Sequence, residues 1–270
     1  MSGPTSRRGT VARWALNVYA GLALVYLFVP IAWIVAYSFN QPRGNYNIVW
    51  QEFTIENWTD PFSDEALTDA FVESIKIALL STAIATVLGS LIALALARYR
   101  FSGSGGLNLF LVLPLTTPEI VLGSSLATLF LDWDVTRGFA TTIIAHVMFQ
   151  VSFVALTVRA RVRGFDWTLE QAAQDLGATP LRTFWKVTFP LVLPGILAAA
   201  LLSFALSIDY FIITLFNAGS LSTFPLYINA SFRVRFPPQV NVLATLVLLV
   251  SIVLAATGSL WGSRRRRGAE

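Results

Sequence analysis

The sequence predicts an all-α protein that crosses a membrane six times. Three observations carry the prediction: six long apolar runs, too few charged residues to clothe a soluble domain, and arginines crowded into alternate connecting segments. Hydrophobic residues make up 55% of the 270 and charged residues 13%, against roughly a quarter charged in a typical soluble domain. Lipid solvates outer faces that water would not, so a bilayer accounts for this composition.

A spanning helix needs about 20 mainly apolar residues. The runs at 14–39, 70–97, 107–131, 139–158, 191–216 and 240–261 meet that length. Arg7, Arg8 and Arg13 precede the first run as they would in a secretory leader. That run is too long, however, and lacks a small-residue cleavage pattern before Asn40, so it is expected to remain as a span. Pro114 and Pro118 interrupt the third run, because proline removes a helical hydrogen-bond donor. Charge then sets orientation. With the N-terminus in the cytoplasm, the inside segments hold 14 of the 19 basic residues, including Arg98, Arg100, Arg159, Arg161, Arg163, Arg182, Lys186 and the run at 264–267. The outside segments take most of the acids, including Glu52, Glu56, Asp60, Asp64, Asp132 and Asp134. An odd number of spans would strand the 264–267 arginines outside, so both termini are expected inside. The net charge of +4 therefore points to anionic lipid at the membrane surface and not to nucleic acid. The chain divides into a cytoplasmic N-terminus (1–13), a transmembrane domain (14–262) and a basic tail (263–270).

The longest inside loop, at about 161–190, reads as two short helices. Thr168 is placed to cap the first, with Gln171 as its capping-box partner. Leu169, Ala172, Ala173 and Leu176 recur at helical spacing and form one apolar face. Gly177 suits the residue just past the helix end, where φ is positive. Thr179 and Pro180 then open a second helix, which Pro190 is expected to end. Such an element either lies on the membrane surface or docks on a cytoplasmic partner. Its alanines favour docking, since small side chains permit close backbone approach, whereas a lipid-binding face would use larger apolar groups.

Gln171-Ala172-Ala173, then Gly177, then Val187-Thr188-Phe189-Pro190, resembles the E-A-A, three residues, G, nine residues, I-x-L-P pattern of ABC importer permeases, with Gln171 where the family usually has Glu. Pro118-Glu119-Ile120-Val121, the stretch from Ser203 through Asp209 to Tyr210 and Phe211, and the stretches from Thr223 to Arg233 and from Pro238 to Thr245 resemble the spermidine/putrescine permeases of that family. The resemblance implies the type I importer membrane fold in a bacterial inner membrane. It further implies a coupling contact with an ATP-binding cassette subunit through Glu170, Gln171, Ala172, Ala173, Asp175, Leu176, Gly177 and Pro190. A second permease subunit, in a heterodimer, and an external solute-binding protein complete the implied assembly. No cofactor is expected on this chain, and ATP with Mg is expected on the partner ATPase.

Asp209 and Glu119 are the carboxylates that fall inside these spans. A buried charge costs at least ~2.5–3.5 kcal/mol there, so such residues face a cavity or a partner. Polyamines carry several ammonium groups on a methylene chain, which carboxylates and aromatic rings suit. The expected pathway is Asp209 and Glu119 with Tyr210 and Phe211; each carboxylate could equally serve a structural partner. Lys76 is expected to pair with Glu73, and His146 to be a satisfied packing residue. The 40–69 segment is either a solvated loop or part of a receiving surface for a binding protein. The expected cargo is a polyamine such as spermidine or putrescine, with another amine, ferric ion, sulfate or a different small solute as the alternative. An intramembrane enzyme or a channel is a remote alternative. The chain lacks cysteine and an H-E-x-x-H pair and has one histidine, so no metal site or nucleophile–base set is expected. It also has no phosphate-binding loop.

Overall fold

The computed structural model describes the backbone of residues 7–99 and 101–267 and the side chains of residues 13–99 and 101–253. Arg7, Arg8, Arg100, the 264–267 arginines and most of the two terminal segments therefore lie outside the described side chains. Twelve helices follow in order: α1 (Arg7–Tyr37), α2 (Glu56–Thr59), α3 (Glu65–Arg98), α4 (Ser104–Thr116), α5 (Glu119–Asp132), α6 (Phe139–Val162), α7 (Thr168–Asp175), α8 (Pro180–Thr183), α9 (Phe189–Asp209), α10 (Ile212–Asn217), α11 (Phe224–Ser231) and α12 (Pro238–Arg267). A π-helical turn, Phe184–Thr188, joins α8 to α9. Among the described residues there is no strand, only two isolated bridges.

Among the described residues four helices are long and apolar enough to cross a membrane: Arg13–Tyr37, Glu65–Arg98, Phe139–Val162 and Pro180–Asp209. α4 and α5 together are apolar enough for a fifth crossing, and they meet at 107° across Thr117 and Pro118, the geometry of a broken span or of a re-entrant loop. The expected sixth is α12, whose described apolar part, Pro238–Val253, is shorter than a full span. The run at 191–216 is not continuous as expected, since α9 ends at Asp209 and Tyr210 is extended (φ −63°, ψ 94°) before α10 begins. Pro190 does not end a helix either. It sits in the first turn of α9, after the wider π turn shifts the backbone bond to Phe189 N–H→Phe184 O. A proline ring clashes with the carbonyl four residues back in a regular α-helix, and a π register opens room there.

The chain forms two compact units. In the first, residues 1–64 and 231–250, α1 is exposed from Arg13 to Pro30 and becomes partly covered only near its end, where Tyr37 is buried. The following segment is exposed over most of its length and is pinned by three buried asparagines, Asn40, Asn47 and Asn57. Asn40 Nδ2 donates to Asn47 Oδ1 (2.6 Å) and to Val49 O (2.9 Å), Asn47 Nδ2 to Tyr37 O (2.8 Å), and Asn57 Nδ2 to Asn40 O (2.9 Å). Each amide answers a backbone group left open where the chain leaves its helix, and a buried open group of that kind is costly. Asp64 pairs with Arg235, and backbone bonds run Asn47 N–H→Phe236 O (2.9 Å) and Phe236 N–H→Asn45 O (2.8 Å).

In the second unit, residues 65–230 and 251–270, α3, α6 and α9 pack around Ala93, Val154, Val158, Val162, Val192 and Ala199. Small residues set the spacing. A Cβ on Gly89 would lie 2.8 Å from Val154 Cβ and 2.9 Å from Val151 O, so α3 and α6 cross at van der Waals limit. Gly195 meets Arg161 in the same way, at 2.5 Å from its Cγ. Gly89→Val is therefore expected to destabilise this unit by about 1–3 kcal/mol through overpacking. A lowered melting temperature in detergent checks this, with Gly105→Val, whose Cβ meets nothing within 4 Å, as the unaffected control.

Candidate functional site

Two regions carry polar chemistry that packing does not require: the α7–α8 element and the helix breaks after Thr117 and Asp209. The α7–α8 element begins with Asp166, not Thr168, as the capping side chain. Asp166 Oδ1 accepts from Thr168 N–H (3.0 Å) and from the Thr168 hydroxyl (2.7 Å). The hydroxyl bond and then the backbone bond hold the Asp166 carboxyl below the usual carboxylate range. Gln171 is exposed and takes no part in a capping box. At the other end, Gly177 has φ +83°, Ala178 N–H reaches Ala173 O (3.0 Å) and Gly177 N–H reaches Gln174 O (2.8 Å). That is the double bond of a Schellman ending, which positive φ makes possible. Thr179 caps α8 by accepting from Arg182 N–H at 3.4 Å, with Pro180 at the first helical position.

The faces of this element divide sharply. Gln171, Ala172, Asp175, Gly177 and Pro190 are exposed and Ala173 is half-buried. Leu176 is 90% exposed, Leu181 69% and Trp185 56%, so a run of large apolar groups is presented outward with no cover. Glu170 does not share that face. It is 4% exposed, its Oε2 accepts from Arg98 Nη2 at 2.9 Å, and its Oε1 accepts from the Thr188 hydroxyl. Sequence reasoning placed Glu170 with the coupling residues and missed Arg98 as its partner. The available signal was the one-residue offset from Gln171, which turns a side chain by about 100° around a helix.

At the second region, Glu119 opens α5 directly after the bend, where free backbone N–H groups favour a carboxylate, and is half-buried. Asp209 closes α9 and is exposed, and Phe211 is half-buried. Tyr210 is buried at 4% exposure, its ring edge-on to His146 (5.0 Å between centroids) and Phe149 (5.4 Å). Its hydroxyl has no hydrogen-bond partner among the described residues, and Glu119 lies near enough to act on it electrostatically. The break thus brings Tyr210 and Glu119 within range of each other and leaves the Asp209 carboxylate facing outward.

A directed chain of hydrogen bonds anchors this break. Thr214 gives its one hydroxyl hydrogen to Tyr210 O, so its oxygen accepts from His146 Nε2 at 2.9 Å. His146 Nδ1 then accepts from the Ser207 hydroxyl at 2.8 Å, and Ser207 Oγ accepts from Ser81 at 3.1 Å. The order fixes the Nε2–H tautomer. His146, Ser207, Tyr210 and Thr214, with Ser74 and Thr223, line a gap too narrow for a water molecule. Asn217 Nδ2 reaches Gly123 O (3.2 Å), Thr141 reaches Asn217 O (2.8 Å), and Arg137 Nη1 reaches Phe216 O (3.0 Å), which ties α10 to α5 and to the start of α6. Lys76 Nζ pairs with Glu73 at 2.7 Å.

Comparison with known proteins follows the same geography. Residues 85–265 match the family described as binding-protein-dependent transport system inner membrane component. The chain is 34% identical to the spermidine/putrescine transport system permease protein PotC of Haemophilus influenzae, over 90% of this chain and 95% of that protein. It is 35% identical to the putrescine transport system permease protein PotI of Escherichia coli, over 84% of this chain and 83% of that protein. Among solved structures it resembles a chain of a bacterial ABC transporter involved in the import of the acidic polysaccharide alginate, at TM-score 0.65 and 14% identity, over 95% of this chain and 99% of that one. A chain of the MetNI methionine ABC transporter in an inward-facing conformation matches at TM-score 0.60 and 18% identity, over 74% of this chain and 95% of that one. At these identities the likeness establishes the fold, that of an ABC transporter membrane domain.

Proposed function

Since this chain belongs to the family of binding-protein-dependent transport system inner membrane components, and is a multi-pass permease subunit and not an enzyme, we propose that its cargo is a polyamine of the spermidine and putrescine class. The observation that carries this reading is the outward-facing Asp209 carboxylate at a helix break, next to Tyr210 and Phe211. A polyamine is a chain of ammonium groups joined by methylenes; the exposed carboxylate offers a charge partner and the half-buried Phe211 an apolar contact, while the Tyr210 ring is turned into the protein. The permeases with about one-third identity to this chain are named for the same cargo.

In this reading both termini lie in the cytoplasm, and the α7–α8 element rests in a cleft of an ATP-binding cassette subunit that holds ATP and Mg. The uncovered Leu176, Leu181 and Trp185 supply the apolar contact, and Ala172 and Ala173 let the backbones approach. A second permease chain completes the translocation path, with Glu119 and Asp209 facing it. An external binding protein hands the polyamine to the opposite side. Closure of the ATPases favours one state of the pore through differential contacts, which is all a ligand can do to an equilibrium. Uptake of labelled spermidine by the complete complex in proteoliposomes tests the proposal.

A further inference from the structure

We propose that Glu170 is a positioning residue that clamps the coupling element to α3 and α9, so that a displacement of α7 passes to both spans as one body. The inference rests on the reading of α7–α8 as the ATPase-docking element. Three parts of the chain meet on this one buried carboxylate. Arg98, the last residue of α3, donates to Oε2 at 2.9 Å; Thr188, the last residue of the π turn leading into α9, donates to Oε1; Glu170 itself belongs to α7. The Arg98 guanidinium also lies 5.9 Å from the centre of the Trp167 ring, and Trp167 packs on the core shared by α3, α6 and α9.

The arrangement has the properties of a strut and not of a docking contact. Both carboxylate oxygens are engaged within the chain, and at 4% exposure the group presents almost no surface to a partner. A carboxylate buried to this degree is held by its partners, and losing one leaves a charge without compensation. The π turn is also informative, because widened turns mark places where a helix departs from regular register for a local purpose. Here it delivers the Thr188 hydroxyl to the carboxylate. Coupling between distant sites is carried by contiguous packed elements with discrete arrangements, and this cluster is the polar junction between the exposed element and two spans.

The test uses the whole complex, with both permease subunits, the ATPase and the binding protein, reconstituted in proteoliposomes. Glu170→Gln keeps the shape and the Thr188 acceptor but sets an amide against the guanidinium. Arg98 is 37% exposed and can rehydrate, so the fold survives. The expected result is an ATPase that co-purifies at the wild-type ratio while polyamine moved per ATP hydrolysed falls roughly tenfold. The exchange Glu170→Arg with Arg98→Glu is expected to recover most of that loss. Thr188→Val, which removes one of the contacts at constant volume, serves if Glu170→Gln fails to accumulate, and should lower the same ratio. Wild-type transport per ATP in these variants overturns the strut. Loss of co-purification in Glu170→Gln overturns it too, by making Glu170 part of the docking surface. The docking reading stands or falls separately, on substitution of Gly177.

Discussion

Gly177→Asp strips the ATPase from the purified complex, lowering its recovery by more than roughly tenfold, the effect of an unpaired charge desolvated in an interface. Two costs are separable. Gly177 holds φ +83°, and forcing an L-residue into that region costs roughly 1–2 kcal/mol. A Cβ there meets no atom within 4 Å, so the fold itself has room for the side chain. On the proposed docking of α7–α8, it is the ATPase that leaves no room, because this turn stands beside the exposed Leu176. Gly177→Asn, whose side chain tolerates positive φ and carries no charge, is expected to retain more of the ATPase than Asp does. Equal loss in both would assign the effect to bulk at the interface. Full assembly and transport of the Asp variant would show that this turn faces no partner.

The second large effect is expected at Asp209. Asp209→Asn removes one negative charge and keeps the shape, so a complex of normal abundance should lose roughly 10- to 100-fold in spermidine uptake, the value of a charge-assisted hydrogen bond. The side chain is exposed and supports no described internal contact, so the expected change in melting temperature is small. Its measurement is initial uptake rate at fixed complex abundance. Unchanged uptake takes Asp209 out of the mechanism. A loss confined to longer polyamines would instead place it against a terminal ammonium.

Much of this architecture is legible in the sequence, and the departures have physical causes. Apolar length marks the spans well, since a bilayer imposes one length on every crossing helix. Pro118 announces an interruption, but the 107° turn it produces depends on how α5 packs against α10 through Asn217 and Gly123. The break at Tyr210 has no local signal, because the stretch from Ser203 to Phe216 contains neither glycine nor proline. It is held by a local bond from Thr214 to Tyr210 O together with tertiary contacts, in which His146 holds Ser207 and Thr214 from another helix. Pro190 misled for the opposite reason, since a π turn absorbs a residue that usually stops a helix. In the α7–α8 element the spacing placed Gly177, Thr179 and Pro180 correctly, because turn chemistry is local. The roles of Asp166 and Glu170 depend on where each side chain points, and a one-residue offset changes that entirely.

The central claim, a polyamine permease driven by a separate ATPase, is tested most directly by one measurement. The complete complex is reconstituted in proteoliposomes with the binding protein outside the permease and labelled spermidine supplied to it. A polyamine permease of this kind is expected to accumulate spermidine only with ATP on the ATPase side, in competition with unlabelled putrescine but not with sulfate or ferric ion. Accumulation without ATP, or transport of sulfate or ferric ion in place of spermidine, would contradict it.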